Sequence, residues 1–159
     1  MQPFDVAVIG AGAAGMMCAA VAAQRGRSVV LIDHASKLAE KIRISGGGRC
    51  NFTNRRVGPE NFISANPHFA KSALAGYTPD DFLALIKRYG IAWHEKTLGQ
   101  LFCDGSAKQI VAMLMDECAK GGVDFAFSTD IGEIGHADGL FRAGGEIGRA
   151  SCRERVSSP

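Results

Sequence analysis

The sequence predicts an α/β fold whose parallel sheet starts within the first 33 residues. Three observations carry that prediction. Asp5-Val-Ala-Val-Ile-Gly10 is a short buried-strand pattern that ends at glycine, residues 11–25 have helical length, and Ser28-Val-Val-Leu-Ile-Asp33 is a second, β-branched strand. Two strands joined by a helix form a βαβ unit, which sets its strands parallel with a right-handed crossover.

The elements follow in order. The helix at 11–25 consists largely of small residues, and Gly26 is placed to cap its C-terminus. Residues 34–62 show little periodicity and read as a long loop, with glycines at 46–48 and Gly58-Pro59. A structureless stretch of that length in a domain is usually functional. Asn66-Pro67 starts a short helix to about Ala75, stopped by Gly76. Thr78-Pro79-Asp80-Asp81 starts another, with threonine as cap and two acids at the positive end of the helix dipole; it runs to about Tyr89, before Gly90. Residues 91–96 and 98–103 read as a hairpin around Thr97-Leu98-Gly99. Ser106 and Gln109 make a capping box for a helix to Lys120, ended by Gly121-Gly122. Residues 123–128, 131–134 and 140–143 read as short strands. From Gly144 onward no period remains, so residues 144–159 are expected to be a non-native or disordered tail. The expected organisation is one nucleotide-binding domain over residues 1–143, interrupted by an inserted α+β segment at about 61–120.

Composition narrows the function classes. The chain is 47% hydrophobic and 21% charged, as an ordinary folded domain is. Its 18 Lys and Arg against 16 Asp and Glu leave +2, too little to call for a nucleic-acid partner. Residues 6–24 carry no charge, close to the ~20 needed to span a bilayer. They are mostly Gly and Ala, Asp5 abuts them and no basic residue precedes them, so no membrane role is expected. Cys18, Cys50, Cys103, Cys118 and Cys152 contain no CxxC pair, which removes a zinc knuckle or a dithiol relay and fits free thiols in the cytoplasm. No metal site is expected.

Two glycine clusters carry the chemistry. Gly10-Ala11-Gly12-Ala13-Ala14-Gly15 is a GxGxxG that follows a strand, opens a helix and precedes Asp33 by 18 residues. In this Rossmann-type arrangement Gly10 permits a sharp turn, Gly12 lets backbone approach a pyrophosphate, and Gly15 lets helix pack on strand. Free amides and the helix dipole then hold the phosphates, while Asp33 accepts hydrogen bonds from ribose and would repel a 2′-phosphate. The pattern is strong for a dinucleotide but does not separate FAD from NAD. The second cluster is Lys41-Ile42-Arg43-Ile44-Ser45-Gly46-Gly47-Gly48-Arg49-Cys50-Asn51-Phe52-Thr53-Asn54. Its successive glycines can fold around an anion or a flat ring without side-chain clash. Residues 41–56 hold five basic residues and no acid, which also motivates an RNA-modifying reading, although Phe52 is the only aromatic available for base stacking.

These two clusters, with the later Gly99-Gln-Leu-Phe-Cys-Asp-Gly-Ser-Ala-Lys-Gln-Ile-Val111, resemble the BaiN/YhiN-type NAD(P)/FAD-dependent flavoproteins over roughly residues 4–143. The resemblance implies FAD at the first glycine cluster, NAD(P)H as reductant, and a Rossmann-type FAD-binding core followed by the start of an inserted domain. It also implies hydride transfer through flavin to an organic acceptor, such as an activated C=C of the kind bile-acid reductases saturate. Carried over by position, Gly10, Ala11, Gly12, Ala13, Ala14 and Gly15 would cradle the pyrophosphate and Asp33, where the family tends to have Glu, would bind ribose. Lys41 and the loop of Ser45, Gly46, Gly47, Gly48, Arg49, Cys50 and Asn51 would reach the phosphates or the flavin edge, and Ile131 would touch adenine through its backbone. Cys50 reads mainly as a structural or flavin-lining residue. No catalytic residue is assigned; His68 and His94 are proton donors by residue type only, and His94 beside Trp93 reads as a surface or packing residue. The expected partner is a small-molecule substrate, and the sequence leaves the oligomeric state open. The alternatives are a non-catalytic dinucleotide-binding module and an RNA-modifying flavoprotein.

Overall fold

A computed structural model describes residues 4–143 and 150–153. Along the chain run β1 (Val6–Ile9), α1 (Ala13–Gln24), β2 (Val29–Ile32), α2 (Glu40–Ile44), β3 (Asn51–Asn54), α3 (Lys71–Gly76) and α4 (Pro79–Arg88). There follow β4 (Trp93–Glu95), β5 (Gln100–Cys103), α5 (Ala107–Gly121), β6 (Asp124–Ala126), β7 (Ile134–Ala137), β8 (Leu140–Ala143) and β9 (Ala150–Arg153). The chain divides into two compact units, one of Met1–Lys41 with Val111–Pro159, the other Ile42–Ile110.

In the first unit β1, β2 and β6 form a parallel sheet with β2 in the middle, as the βαβ pattern predicts. All four residues of β2 are buried, which is why its run is continuously apolar. The small residues of α1 allow close packing: Met16, Ala19, Ala20 and Ala23 are buried, and the Cys118 thiol of α5 donates to the Met16 carbonyl at 3.3 Å. A Cβ on Gly121 would lie 2.6 Å from that of Ala23, so glycine sets the approach of α5 to α1. β7, β8 and β9 form a separate antiparallel sheet.

The strand expected over 131–134 begins only at Ile134 and runs to Ala137. Asp138 and Gly139 both take positive φ (54° and 71°), the two-residue turn that joins β7 to β8 and pairs Ala137 with Leu140. Ala150–Arg153, within the expected tail, pairs with β8 as β9. The rest of that tail, 144–149 and 154–159, lies outside the described residues. No helix among the described residues is long and apolar enough to cross a membrane.

The second unit is an antiparallel sheet in the order β3-β5-β4, with Leu101, Phe102 and Cys103 of β5 buried. The expected β4–β5 hairpin is present. The stretch expected as loop over 34–62 instead holds α2 and β3. Its 51–54 segment becomes a strand because β5, nearly fifty residues later, pairs with it. α3 starts at Lys71 rather than near Asn66, because the Asn66 side chain accepts from the His68 amide at 2.9 Å and closes a local turn there. α4 is capped as its sequence predicts: Thr78 Oγ1 accepts from the Asp81 amide, and the Asp81 carboxylate accepts from the Thr78 amide at 2.7 Å. This unit runs from Ile42 to Ile110, earlier at both ends than the expected 61–120 insert.

Candidate functional site

The candidate site is a nucleotide cleft built where β1 and β2 end side by side. Ile9 pairs with Ile32, and the Gly10 amide donates to the Ile32 carbonyl at 2.8 Å. Gly10 then turns with φ +96°, a conformation that favours glycine. A Cβ on Gly15 would strike the Gly10 carbonyl oxygen and lie 3.5 Å from Val8 Cγ1, so this glycine seats helix on strand. Gly12 is different: a Cβ there would meet nothing within 4 Å. The first two glycine tasks are internal to the fold, and the third leaves room.

α1 leaves its positive end open. Its N-cap is Gly12, no side chain caps it, and no acid lies in its first turn. The Met16 amide donates to the Gly12 carbonyl at 3.0 Å, so the amides of Ala13, Ala14 and Gly15 come before the helical ladder. Such a terminus favours an anion. Ala11, expected among the cradling residues, is buried and its amide is taken: it donates to Asp33 Oδ2 at 2.6 Å.

Asp33 sits just beyond β2, its side chain 14% exposed. The Ala35 amide donates to Oδ1 at 2.8 Å and the His34 ring lies 3.4 Å from the same oxygen. The Ala35 bond holds the carboxyl below its usual range; burial opposes this, and the Ala11 bond and His34 add to it. The group is therefore an anion whose remaining lone pairs can accept from hydroxyls.

Asp33, Gly10 and Ile131 meet in one cleft of about 240 Å³, with Ile9, Ile32, His34, Thr129 and Asp130 completing the lining. That volume is below the roughly 300–1,000 Å³ of a pocket that encloses a whole ligand, and fits one end of a dinucleotide. Three apolar isoleucines can sandwich a flat base, while Asp33 and Asp130 offer acceptors. Thr129 is buried; its amide donates to the Asp33 carbonyl at 3.1 Å and its hydroxyl to the Phe127 carbonyl at 3.1 Å, which ties the end of β6 to that of β2. Sequence reading missed His34, Thr129 and Asp130. The available signal was their place just past the carboxyl ends of parallel strands, where ligands bind in open α/β sheets. The open space at Gly12, the uncapped helix and the ionised Asp33 together fit a dinucleotide diphosphate and its ribose.

Lys41 is exposed on α2 and does not line this cleft. The second glycine loop belongs to the Ile42–Ile110 unit. There Gly46, Gly47 and Gly48 have φ of 58°, 66° and 84°, and Cys50 has 53°. A Cβ on Gly46 would lie 2.6 Å from Phe102 Cε1, so that glycine packs against β5, whereas Gly47 faces open space. Ser45 Oγ donates to the Ile42 carbonyl at 2.9 Å, Arg49 and Asn51 are exposed, and the Cys50 amide donates to Ser45 at 3.0 Å. Burial raises the Cys50 thiol, against a smaller opposing bond from Ser45, so Cys50 is a packing residue rather than an activated thiolate. No group of metal-ligating side chains exists among the described residues.

Comparison with known proteins places this geometry. Residues 4–154 match the family model described as HI0933-like protein Rossmann domain. The ribosomal RNA dihydrouridine synthase of Escherichia coli (strain K12) is 60% identical over 131 residues, 82% of this chain and 33% of that protein. The chain thus spans about a third of that relative. Among solved structures, the 3-ketosteroid-Δ4-(5α)-dehydrogenase of Rhodococcus jostii RHA1 with 4-androstene-3,17-dione aligns with a TM-score of 0.64 at 15% identity, covering 96% of this chain and 44% of that one. Halogenase PltM in complex with phloroglucinol and FAD aligns at 0.52 with 20% identity, covering 94% and 34%. The strand–glycine–helix cleft, the sheet order and the family match agree: this chain belongs to the HI0933-like Rossmann-domain family.

Proposed function

We propose that this chain is the nucleotide-holding part of an FAD-dependent reductase that saturates the C5=C6 bond of uridine in ribosomal RNA. The observation that carries the cofactor is the uncapped α1 N-terminus beside the ionised Asp33 in one cleft. When bound, FAD supplies two-electron hydride chemistry, with NAD(P)H as the source of the hydride. The residues of this chain bind and orient: Gly12, Ala13, Ala14 and Gly15 present backbone amides to the diphosphate, and Asp33 receives ribose hydroxyls. A nicotinamide-only cofactor fits the same cleft, and the family resemblance favours FAD.

The substrate reading rests on the 60% identical relative, named as an rRNA dihydrouridine synthase. Charge distribution supports it. Residues 42–110 hold nine Lys and Arg against five Asp and Glu, whereas the remainder holds nine against eleven. The +2 total conceals this basic unit, whose charge suits an RNA acceptor alongside the expected small-molecule substrate. The chemistry remains that of an activated C=C, because the uracil double bond is conjugated with the C4 carbonyl. The test incubates the FAD-loaded protein with NADH or NADPH and rRNA lacking dihydrouridine, and measures the modified nucleoside by mass spectrometry. Formation of dihydrouridine supports the proposal. Reduction of a small enone with no product in RNA points to the bile-acid-reductase-like alternative, and failure to hold FAD points to a non-catalytic module.

A further inference from the structure

Within residues 42–110 one turn combines backbone strain, exposure and charge. β4 and β5 are joined through Thr97, Leu98 and Gly99, and Leu98 takes φ 61° and ψ 23°, in the left-handed region. That conformation disfavours any side chain beyond glycine, and such strain concentrates at functional positions. The Leu98 side chain is 83% exposed, so core packing does not hold it there. The turn is held from β3 and β5 instead. Asn54 Nδ2 donates to the Leu98 carbonyl at 2.8 Å, the Arg55 amide to the Gly99 carbonyl at 2.9 Å, and the Lys96 amide to the Gln100 carbonyl at 2.8 Å. Asn54 Oδ1 also accepts from the Arg56 amide at 2.8 Å. One side chain thus fixes both the leucine turn and the basic dipeptide beside it.

The charge around this turn is mostly of one sign. Residues 51–57 and 93–103 contain Arg55, Arg56 and Lys96, against Glu95 alone among acids. Arg55 bonds Glu95 at 2.8 Å, and its guanidinium lies over the Trp93 ring, 5.3 Å from the centroid. Lys96 Nζ lies 4.3 Å from the Phe102 centroid. Trp93 pairs with Cys103 and His94 with Phe102, so Trp93 and Phe102 face opposite sides of the sheet. A cation therefore sits on each side of the sheet that ends in the exposed leucine, and Arg56, next along the chain, is exposed too. A projecting apolar side chain flanked by cations suits unpaired nucleic acid: the apolar group enters between bases and the cations take phosphates. A role in stability fits less well, because an exposed leucine buries little and the strained backbone works against the fold. We propose that the β4–β5 turn is a contact for unpaired RNA, in which Leu98 enters between bases while Arg56 and Lys96 hold phosphates. The choice of RNA rests on the rRNA reading above.

The test titrates the full FAD-loaded chain, and its variants Leu98→Gly, Arg56→Ala and Lys96→Ala, into a fluorescein-labelled oligouridine at several salt concentrations, read by anisotropy. Leu98→Gly should weaken RNA binding about tenfold. Its melting temperature should equal the parent's or rise by a few degrees, because glycine takes that φ without strain. A leucine that served only the fold would do the reverse, lowering the melting temperature and leaving binding alone. Arg56→Ala and Lys96→Ala should each reduce the slope of log K against log salt by about 0.7, the loss of one phosphate contact on a single strand. Equal affinity of the parent and Leu98→Gly for oligouridine, or no binding by the parent, overturns the inference. So does binding to phosphatidylglycerol vesicles with none to RNA. Dihydrouridine in rRNA is the separate readout of the substrate reading. Its absence, while oligouridine binding still depends on Leu98, overturns that reading alone; its formation, with binding independent of Leu98, overturns this inference alone.

Discussion

Gly12 and Gly15 look alike in the sequence and differ in what surrounds them. Ala at Gly15 places a methyl against the Gly10 carbonyl, and overpacking of that kind costs about 1–3 kcal/mol or more. Gly12→Ala meets open space at φ −83°, ψ −172°, a conformation any residue adopts, so its melting temperature should match the parent. Its FAD affinity should nonetheless fall about tenfold or more, because the methyl occupies the approach of the diphosphate. Thermal melts and FAD titration of both variants check this pair, and equal losses of stability would contradict it. Asp33 makes a pH prediction. Its folded pKa lies below the unfolded value, so the group contributes stability that is fully present above the ordinary carboxylate pKa near 3.9 and is lost as pH falls through the folded value. Asp33→Asn should therefore cost about 1–3 kcal/mol at pH 7, where the charged bonds to Ala11 and Ala35 are lost. Its stability should also fall less steeply than the parent's below about pH 4, followed by urea denaturation across pH.

Elements differ in how much of their specification is local. α4 was readable to its cap because Thr78, Pro79 and Asp81 act within four residues. Thr78→Ala should destabilise it by about 1 kcal/mol, measured by chemical denaturation. The β7–β8 turn is an Asp-Gly pair, a local signal that a strand assigned to 131–134 leaves unused, and the strand itself starts three residues later. β3 is the opposite case. Asn51–Asn54 is polar and has no strand pattern of its own; it is a strand because β5 offers a ladder to pair with. Gly46→Ala should disturb that pairing through its clash with Phe102 and its positive φ, seen as a lowered melting temperature, whereas Gly47→Ala pays only for its positive φ.

At the scale of the whole molecule, the buried thiols report on folding. Burial is the main cause that pushes Cys103 and Cys118 up to about 11 and raises Cys50, while Cys18 is exposed. Since the thiolate is the reactive form, iodoacetamide at pH 7.5 should label Cys18 quickly. Cys50, Cys103 and Cys118 should react only after denaturant is added, as peptide mass spectrometry on a Cys152→Ser background would show. Rapid labelling of all four in the native protein would contradict the packing described here. The division of charge between the two units is likewise a property of the whole, invisible in the +2 sum.

The sequence by itself determined the βαβ unit, the glycine turn, Asp33 at the end of β2 and the capped helices, because each depends on residues within a turn or a strand length of one another. Only the tertiary structure decided that Thr129, Asp130 and Ile131 share a cleft with Gly10 and Asp33, that the Ala11 amide is occupied, and that His94 faces Asp104. Those relations come from ladders between distant segments, β2 with β6 and β4 with β5. Pairing energy in a ladder belongs to two strands at once, so neither strand's residues state it alone.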